Sequence, residues 1–157
     1  MRNTIAIAIA IALVGGTGLV RAADKTYPDI THEELVSALQ AKTVTLLDAN
    51  GTDSYQEGHI PTALNFEEVK KNLAAKLPSD KSALIVAYCA NEQCPAYRQA
   101  ASAAAELGYT NVKHYAKGIV GWKAAGAKVA VGVAPAADTT YPDITHEELA
   151  KALAALR

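Results

Sequence analysis

Hydrophobic positions change period several times along the chain, and each change predicts an element. Leu35, Ala38 and Leu39 recur at helical spacing behind Thr31-His32-Glu33-Glu34, a capping box in which the Thr hydroxyl and the Glu carboxylate satisfy each other's backbone amides. Val44-Thr45-Leu46-Leu47-Asp48 reads as a short strand ending in a carboxylate, and Asn50-Gly51 breaks it. Asp53 to Gln56 suits one helical turn, and Ile60-Pro61 with Ala63-Leu64-Asn65 a short extended piece. Apolar residues at 66, 69, 73, 74 and 77 predict a helix from Phe66 to Leu77, stopped by Pro78. Ala83 to Tyr88 is almost wholly apolar, as a strand buried on both faces should be. Pro95 to Leu107 predicts a long alanine-rich helix with Pro in its first turn and Gly108 as its left-handed stop. Val112 to Tyr115 is a further strand. Lys117-Gly118 leads into a short helix around Trp122 that ends at Gly126, and Val129 and Val131 suit a last short strand. Strands alternating with helices predict an α/β fold, a mainly parallel sheet covered on both faces.

The ends of the chain follow a different pattern. Arg2 precedes an uncharged apolar run from Ile5 to Val14, then Gly15, Gly16, Gly18 and Val20-Arg21-Ala22. This is the layout of a secretory signal peptide over residues 1–22, and it predicts a periplasmic or secreted protein with no stable membrane anchor after cleavage. An uncleaved anchor is the alternative, for which the apolar run is short. The domain proper is expected over 23–131, followed by a linker over 132–139. The tail, 140–157, repeats the chain's own opening at 26–42: TYPDITHEEL stands at 26–35 and again at 140–149, and Ala38, Leu39 and Ala41 recur as Ala152, Leu153 and Ala155. The repeat has three readings: a remnant carried as a loose helix, a helix docked beside the domain, or one that fills the equivalent groove of a second protomer and promotes a homodimer.

Composition narrows the classes. Apolar residues make up 50% of the 157, yet aromatics only 6%, so Leu, Ile, Val and Ala must build the core with Tyr at its margins. Fifteen basic residues against sixteen acidic ones exclude the basic excess of a nucleic-acid binder. Two cysteines are too few for a disulfide scaffold or a four-cysteine zinc site.

Those two cysteines carry the candidate chemistry. Cys89 directly follows the apolar strand, and Ala90-Asn91-Glu92-Gln93-Cys94 separates it from the next helix. A thiol at the carboxyl end of a central parallel strand sits where open α/β sheets hold ligands. It also faces a helix amino end, whose unpaired amides and dipole favour a thiolate. The plain alternative is a small buried apolar residue.

The chain resembles the rhodanese-like domain, the sulfurtransferase family, in three signatures. The first is Leu46-Leu47-Asp48, Tyr55, Gly58-His59-Ile60-Pro61, Ala63 and Asn65. The second is Val86-Ala87-Tyr88-Cys89, then Ala100, Ala101 and Leu107-Gly108-Tyr109. The third is Asn111-Val112, Gly118-Ile119, Trp122 and Ala125-Gly126. The resemblance runs from about Ile30 to Val131 and implies a three-layer α/β/α fold around a central, mainly parallel sheet. It implies a thiosulfate sulfurtransferase-like enzyme in which Cys89 is the nucleophile. Cys89 would take a sulfane sulfur from a small donor such as thiosulfate or polysulfide, hold it as a persulfide, and pass it to a thiol or to cyanide. The backbone amides of Ala90, Asn91, Glu92 and Gln93 would cradle the anionic sulfur. The loop from Cys89 to Cys94 has the family's six-residue length; the related phosphatases use one residue more. No cofactor, metal or nucleic acid is implied.

Three places depart from the family's pattern. Asn50 stands where the family often has Arg, two residues after Asp48. Glu92 stands inside the loop, where Gly is common. Cys94 closes the loop in place of Arg. A loop with Glu92 and no Arg attracts an anionic donor poorly; Arg98, one turn into the helix, either compensates or is a solvated helix charge. Asp48 reads first as a turn-stabilising carboxylate and second as a site residue. Cys94 is a candidate resolving thiol: it could attack a persulfide or sulfenate on Cys89, releasing sulfide or water and closing a disulfide. That requires Cα atoms within about 7 Å. A structural disulfide, two independent thiols and metal binding stay open beside it, the last without a nearby His as third ligand. His32 and His146 are expected on solvated first turns, His59 in a structural hydrogen bond, and His114 carries no signal. Two other functional readings stand beside the sulfurtransferase: a periplasmic thiol–disulfide protein cycling Cys89 and Cys94, and a non-catalytic rhodanese-like binding module.

Overall fold

A four-stranded parallel sheet organises the chain, described in a computed structural model over residues 26–132. The strands are β1 (Val44–Asp48), β2 (Leu64–Asn65), β3 (Leu84–Tyr88) and β4 (Val112–His114), in the order β2-β1-β3-β4. The helices are α1 (His32–Gln40), α2 (Thr52–Glu57), α3 (Phe66–Val69), α4 (Tyr97–Glu106) and α5 (Gly118–Ala124). The signal-peptide, linker and tail-repeat expectations fall on residues outside those described.

The central strands are apolar throughout because both faces are covered. Side chains alternate across a strand, so adjacent residues feed different cores. Leu47, Ile85, Ala87 and Cys89 pack with α4 and the Phe66–Leu77 segment. Leu46, Val86 and Tyr88 pack with Leu35 of α1, Tyr55 of α2 and Trp122 of α5. Alanines at 100, 101 and 104, all fully buried, line the sheet side of α4. The three-layer α/β/α architecture is thus the one expected.

Local signals explain the helix ends. Both halves of the Thr31 capping box form: Glu34 N–H donates to Thr31 Oγ1 at 3.1 Å, and Thr31 N–H to Glu34 Oε2 at 2.9 Å. These bonds lower the Glu34 carboxyl from its ordinary range. Gly108, at φ 91°, ends the helical stretch as expected.

Three expectations need correction. The segment from Phe66 is not one α-helix: α3 gives way after Val69 to a 3₁₀ helix (Lys70–Ala75) with a non-helical break at Asn72. A 3₁₀ turn climbs faster per residue than an α turn, and Leu73 and Leu77 still reach the core. Helix α4 starts at Tyr97 rather than Pro95, because the chain enters it through tight bonds from Arg98 N–H to Pro95 O and Gln99 N–H to Ala96 O, both 3.1 Å. The last strand is reduced to a single antiparallel bridge between His59 and Ala130, with Val131 exposed. Residues 28–30 add a pairing that periodicity did not predict. They lie parallel against β4, His114 N–H donating to Pro28 O and Ile30 N–H to His114 O.

The carboxyl ends of β1 and β3 are locked together by side chains. Asp48, fully buried, accepts the Tyr88 hydroxyl on Oδ2 at 2.6 Å and both the backbone and side-chain amides of Asn50 on Oδ1 at 2.8 Å. The Tyr88 hydroxyl in turn accepts Ile60 N–H at 2.9 Å. Burial, reinforced by the Asp48 charge, raises the Tyr88 pKa and keeps the hydroxyl protonated as a donor. Replacing Tyr88 by Phe strands a buried carboxylate oxygen and a buried amide together. The expected loss is about 2–4 kcal/mol, read as a lower denaturant midpoint at an unchanged m-value.

Candidate active site: a cysteine loop at the end of the central strand

The strand order places a topological switch between β1 and β3. From β1 the chain moves outward to β2, then crosses back over β1 to β3. Crevices at the carboxyl ends of such strand pairs hold ligands in open α/β sheets. Asp48 and Tyr88 end these two strands as register partners, and Cys89 is the next residue.

Cys89 is 1% exposed and faces the α4 layer with Ile85 and Ala87. Cys94 is half-buried against the same cluster. The two are joined by a disulfide, their Cα atoms 6.2 Å apart. Of the arrangements the sequence leaves open, the direct bond is the one adopted, and neither sulfur is a free thiol.

Asn91 shapes the loop between them. Its side-chain oxygen accepts Gln93 N–H at 3.0 Å, and its carbonyl accepts Cys94 N–H at 3.1 Å. Gln93 therefore does not offer its amide to the loop interior in this state. The amides of Ala90, Asn91 and Glu92 have no partner among the described residues. They remain available as donors. Glu92 is exposed and adds negative charge. The Arg98 guanidinium lies over the Tyr97 ring, 5.4 Å from its centroid, as a cation–π contact within α4. Asn50 spends its amides on Asp48, and Asp48 is enclosed by Tyr88 and Asn50.

Sequence reasoning missed what holds the loop from behind. Two amides at the start of α5 donate to the carbonyls that open the loop: Ile119 N–H to Cys89 O at 2.9 Å and Val120 N–H to Ala90 O at 3.0 Å. This contact is so close that a Cβ on Gly118 would lie 2.4 Å from Cys89 O and 2.5 Å from Ala90 O. Gly118 also stands at φ 57°, a conformation glycine adopts freely. Its role could have been suspected from Lys117-Gly118 preceding a helix, but the close approach depends on tertiary placement.

Two histidines depart from expectation. His32 is not merely solvated: its Nδ1 is 2.8 Å from the Tyr115 hydroxyl, and its ring lies 5.2 Å from Trp122. His114 has a built environment. It is 5% exposed, stacks on Tyr97 with ring centroids 3.4 Å apart, and donates from Nδ1 to Asp29 at 2.9 Å. Its Nε2 is buried without a hydrogen-bond partner among the described residues. His59 is structural as expected, donating from Nδ1 to Tyr55 O at 2.8 Å and stacking on the Tyr55 ring.

A parallel α/β domain with a cysteine loop at its topological switch is what the rhodanese-like resemblance implies, and comparison with known proteins agrees on a sulfurtransferase-type fold. The family model of the rhodanese-like domain matches residues 31–125, more than half of the chain. The protein belongs to the rhodanese-like family. Its structure is similar to the solution structure of a rhodanese-like domain from Anabaena sp. (TM-score 0.54, 24% identity, 77% of this chain and 94% of that one). It is also similar to the thiosulfate sulfurtransferase of Pseudomonas aeruginosa (TM-score 0.53, 27% identity), matching over 68% of this chain and 20% of the enzyme. Among curated proteins it is 37% identical over 105 residues to the HTH-type transcriptional regulator Rv0324 of Mycobacterium tuberculosis. That match takes in 66% of this chain and only 45% of the regulator.

Two outcomes follow from this geometry. Gly118→Ala forces the α5 start off the loop and places a side chain at positive φ. It is expected to cost about 2–4 kcal/mol, seen as a lower denaturant midpoint. The second concerns pH. Burial depresses the His114 pKa below its ordinary 6.5, against the opposing pull of Asp29. The unfolded chain then binds the proton more readily, so the contribution is complete above about 6.5 and is lost as pH falls toward the folded-state value. Denaturant midpoints at successive pH values below 7 should fall more steeply for the native protein than for His114→Gln.

Proposed function

We propose that this protein is an exported sulfurtransferase, or sulfane-sulfur carrier, that forms a persulfide on Cys89. The observation that carries the reading is the position of Cys89 at the switch point, opening a six-residue loop with three unpartnered amides. In the reduced protein those unpaired amides would be available to stabilise a thiolate, and then the terminal sulfur of a persulfide.

The step balances simply. The Cys89 thiolate attacks the sulfane sulfur of thiosulfate; the S–S bond of the donor breaks and sulfite leaves. The persulfide then gives its outer sulfur to a second nucleophile, a thiol or cyanide, and the Cys89 thiolate returns. With Glu92 in the loop and Arg98 stacked on Tyr97, an uncharged organic polysulfide suits the site better than dianionic thiosulfate. Export is supported by the signal-like first 22 residues and by the bridged cysteines, since disulfides persist mainly outside the cytosol.

The disulfide also favours a second reading, a thiol–disulfide protein in which Cys89 and Cys94 exchange electrons with a partner and sulfur transfer is incidental.

Intact mass of the reduced protein after exposure to thiosulfate or polysulfide tests the first reading. A gain of one sulfur atom is expected, lasting in Cys94→Ser, which cannot close the bridge, and absent in Cys89→Ala. If Cys94→Ser takes up no sulfur from any donor while the native protein only loses two hydrogens, the redox reading takes its place.

A further inference from the structure

The disulfide has a consequence for sulfur transfer. While the bridge is closed Cys89 is no nucleophile, so persulfide chemistry can begin only from the reduced pair. Once a sulfane sulfur sits on Cys89, Cys94 lies across the same short loop, with the two Cα atoms at 6.2 Å and within bonding reach. The two sulfurs also differ in access. Cys89 is almost wholly buried, whereas Cys94 is half-buried at the loop's outer end.

We infer that Cys94 resolves the Cys89 persulfide within the chain, so that the protein releases sulfide as well as transferring sulfur. This inference rests on the persulfide reading above. The Cys94 thiolate attacks the inner sulfur, Sγ of Cys89. The bond from Cys89 Sγ to the sulfane sulfur breaks, hydrosulfide leaves with the electron pair, and the Cys89–Cys94 disulfide forms. The sulfane sulfur is reduced by two electrons and the cysteine pair is oxidised by two, so no outside oxidant enters.

Reopening the bridge requires a dithiol reductant, which makes a dithiol protein or small dithiol the partner class. Exposure directs its attack to Cys94. That leaves Cys89, which opens the loop carrying the unpaired amides of Ala90, Asn91 and Glu92, as the departing thiolate, and thiols that leave as stabilised thiolates exchange faster. The second thiol of the reductant then frees Cys94. The loop thus passes through three states: reduced and able to accept sulfur, persulfidated, and bridged and closed to donors.

A single-turnover experiment decides this. The full-length protein is reduced, freed of reductant, loaded with a limiting amount of polysulfide, and desalted. Released sulfide and intact mass are then followed with time, with Cys94→Ser and Cys94→Ala alongside and circular dichroism as a check on folding. The native protein should release about one sulfide per persulfide and end two hydrogens lighter than its reduced form. Both variants should keep the added sulfur and release at least tenfold less sulfide over the same time. Should the native protein hold its persulfide as long as the variants do, the inference falls and the sulfurtransferase reading stands. Failure of all three proteins to take up sulfur overturns both.

Discussion

One buried hydrogen-bonded chain ties together the parts that matter. Asp48 ends β1, Tyr88 ends β3, and the Tyr88 hydroxyl bridges the Asp48 carboxylate to the amide of Ile60. A carboxylate removed from water must be fully satisfied or it opposes folding. Here Asn50 supplies the remaining donors. The network sets the carboxyl ends of two adjacent strands and the Gly-His-Ile-Pro turn in one arrangement. Because Cys89 follows Tyr88 directly, the loop from Cys89 to Cys94 inherits its starting position from that network.

The loop is then held from two sides. Asn91 folds it from within through its side chain and carbonyl. The first amides of α5 hold it from behind, and a glycine at 118 is what lets them approach. Neither contact involves a sulfur. Opening or closing the bridge therefore requires breaking neither contact. The departures from the family's pattern have a shared sense. On the proposed persulfide reading, a loop without its cationic side chain and closed by a second cysteine would gather an anionic donor less and discharge bound sulfur more.

The outer contacts of the sheet show how polar groups fill a fold with few aromatics. With one Trp and one Phe, the core enlists Tyr55, Tyr88 and Tyr115, which are nearly inaccessible rather than at its margins as composition suggests. Each brings a hydroxyl that must find a partner: Ala63 O for Tyr55, Asp48 for Tyr88, His32 for Tyr115. Buried histidines serve the same economy, His59 and His114 stacking on tyrosine rings.

Local chemistry alone determined much of this protein. The Thr31 capping box, the Gly108 helix stop, the apolar run of β3 and the alanine face of α4 are short-range patterns, and each formed where the residues called for it. The family signatures, including Cys89 after an apolar strand, were equally legible, because side-chain types at fixed spacing survive without any knowledge of the fold. What tertiary structure decided involves residues far apart in the chain. Residues 28–30 pair with β4 across more than eighty positions, and His114 gains its partners Asp29 and Tyr97 from two other elements. Gly118 meets the Cys89 and Ala90 carbonyls only because α5 packs beneath the loop. The 3₁₀ stretch after Val69 belongs here too, since the same apolar spacing serves an α-helix or a tighter, longer one. Spacing in sequence specifies which face a side chain takes, whereas the neighbours awaiting it there are set by the packing of the whole.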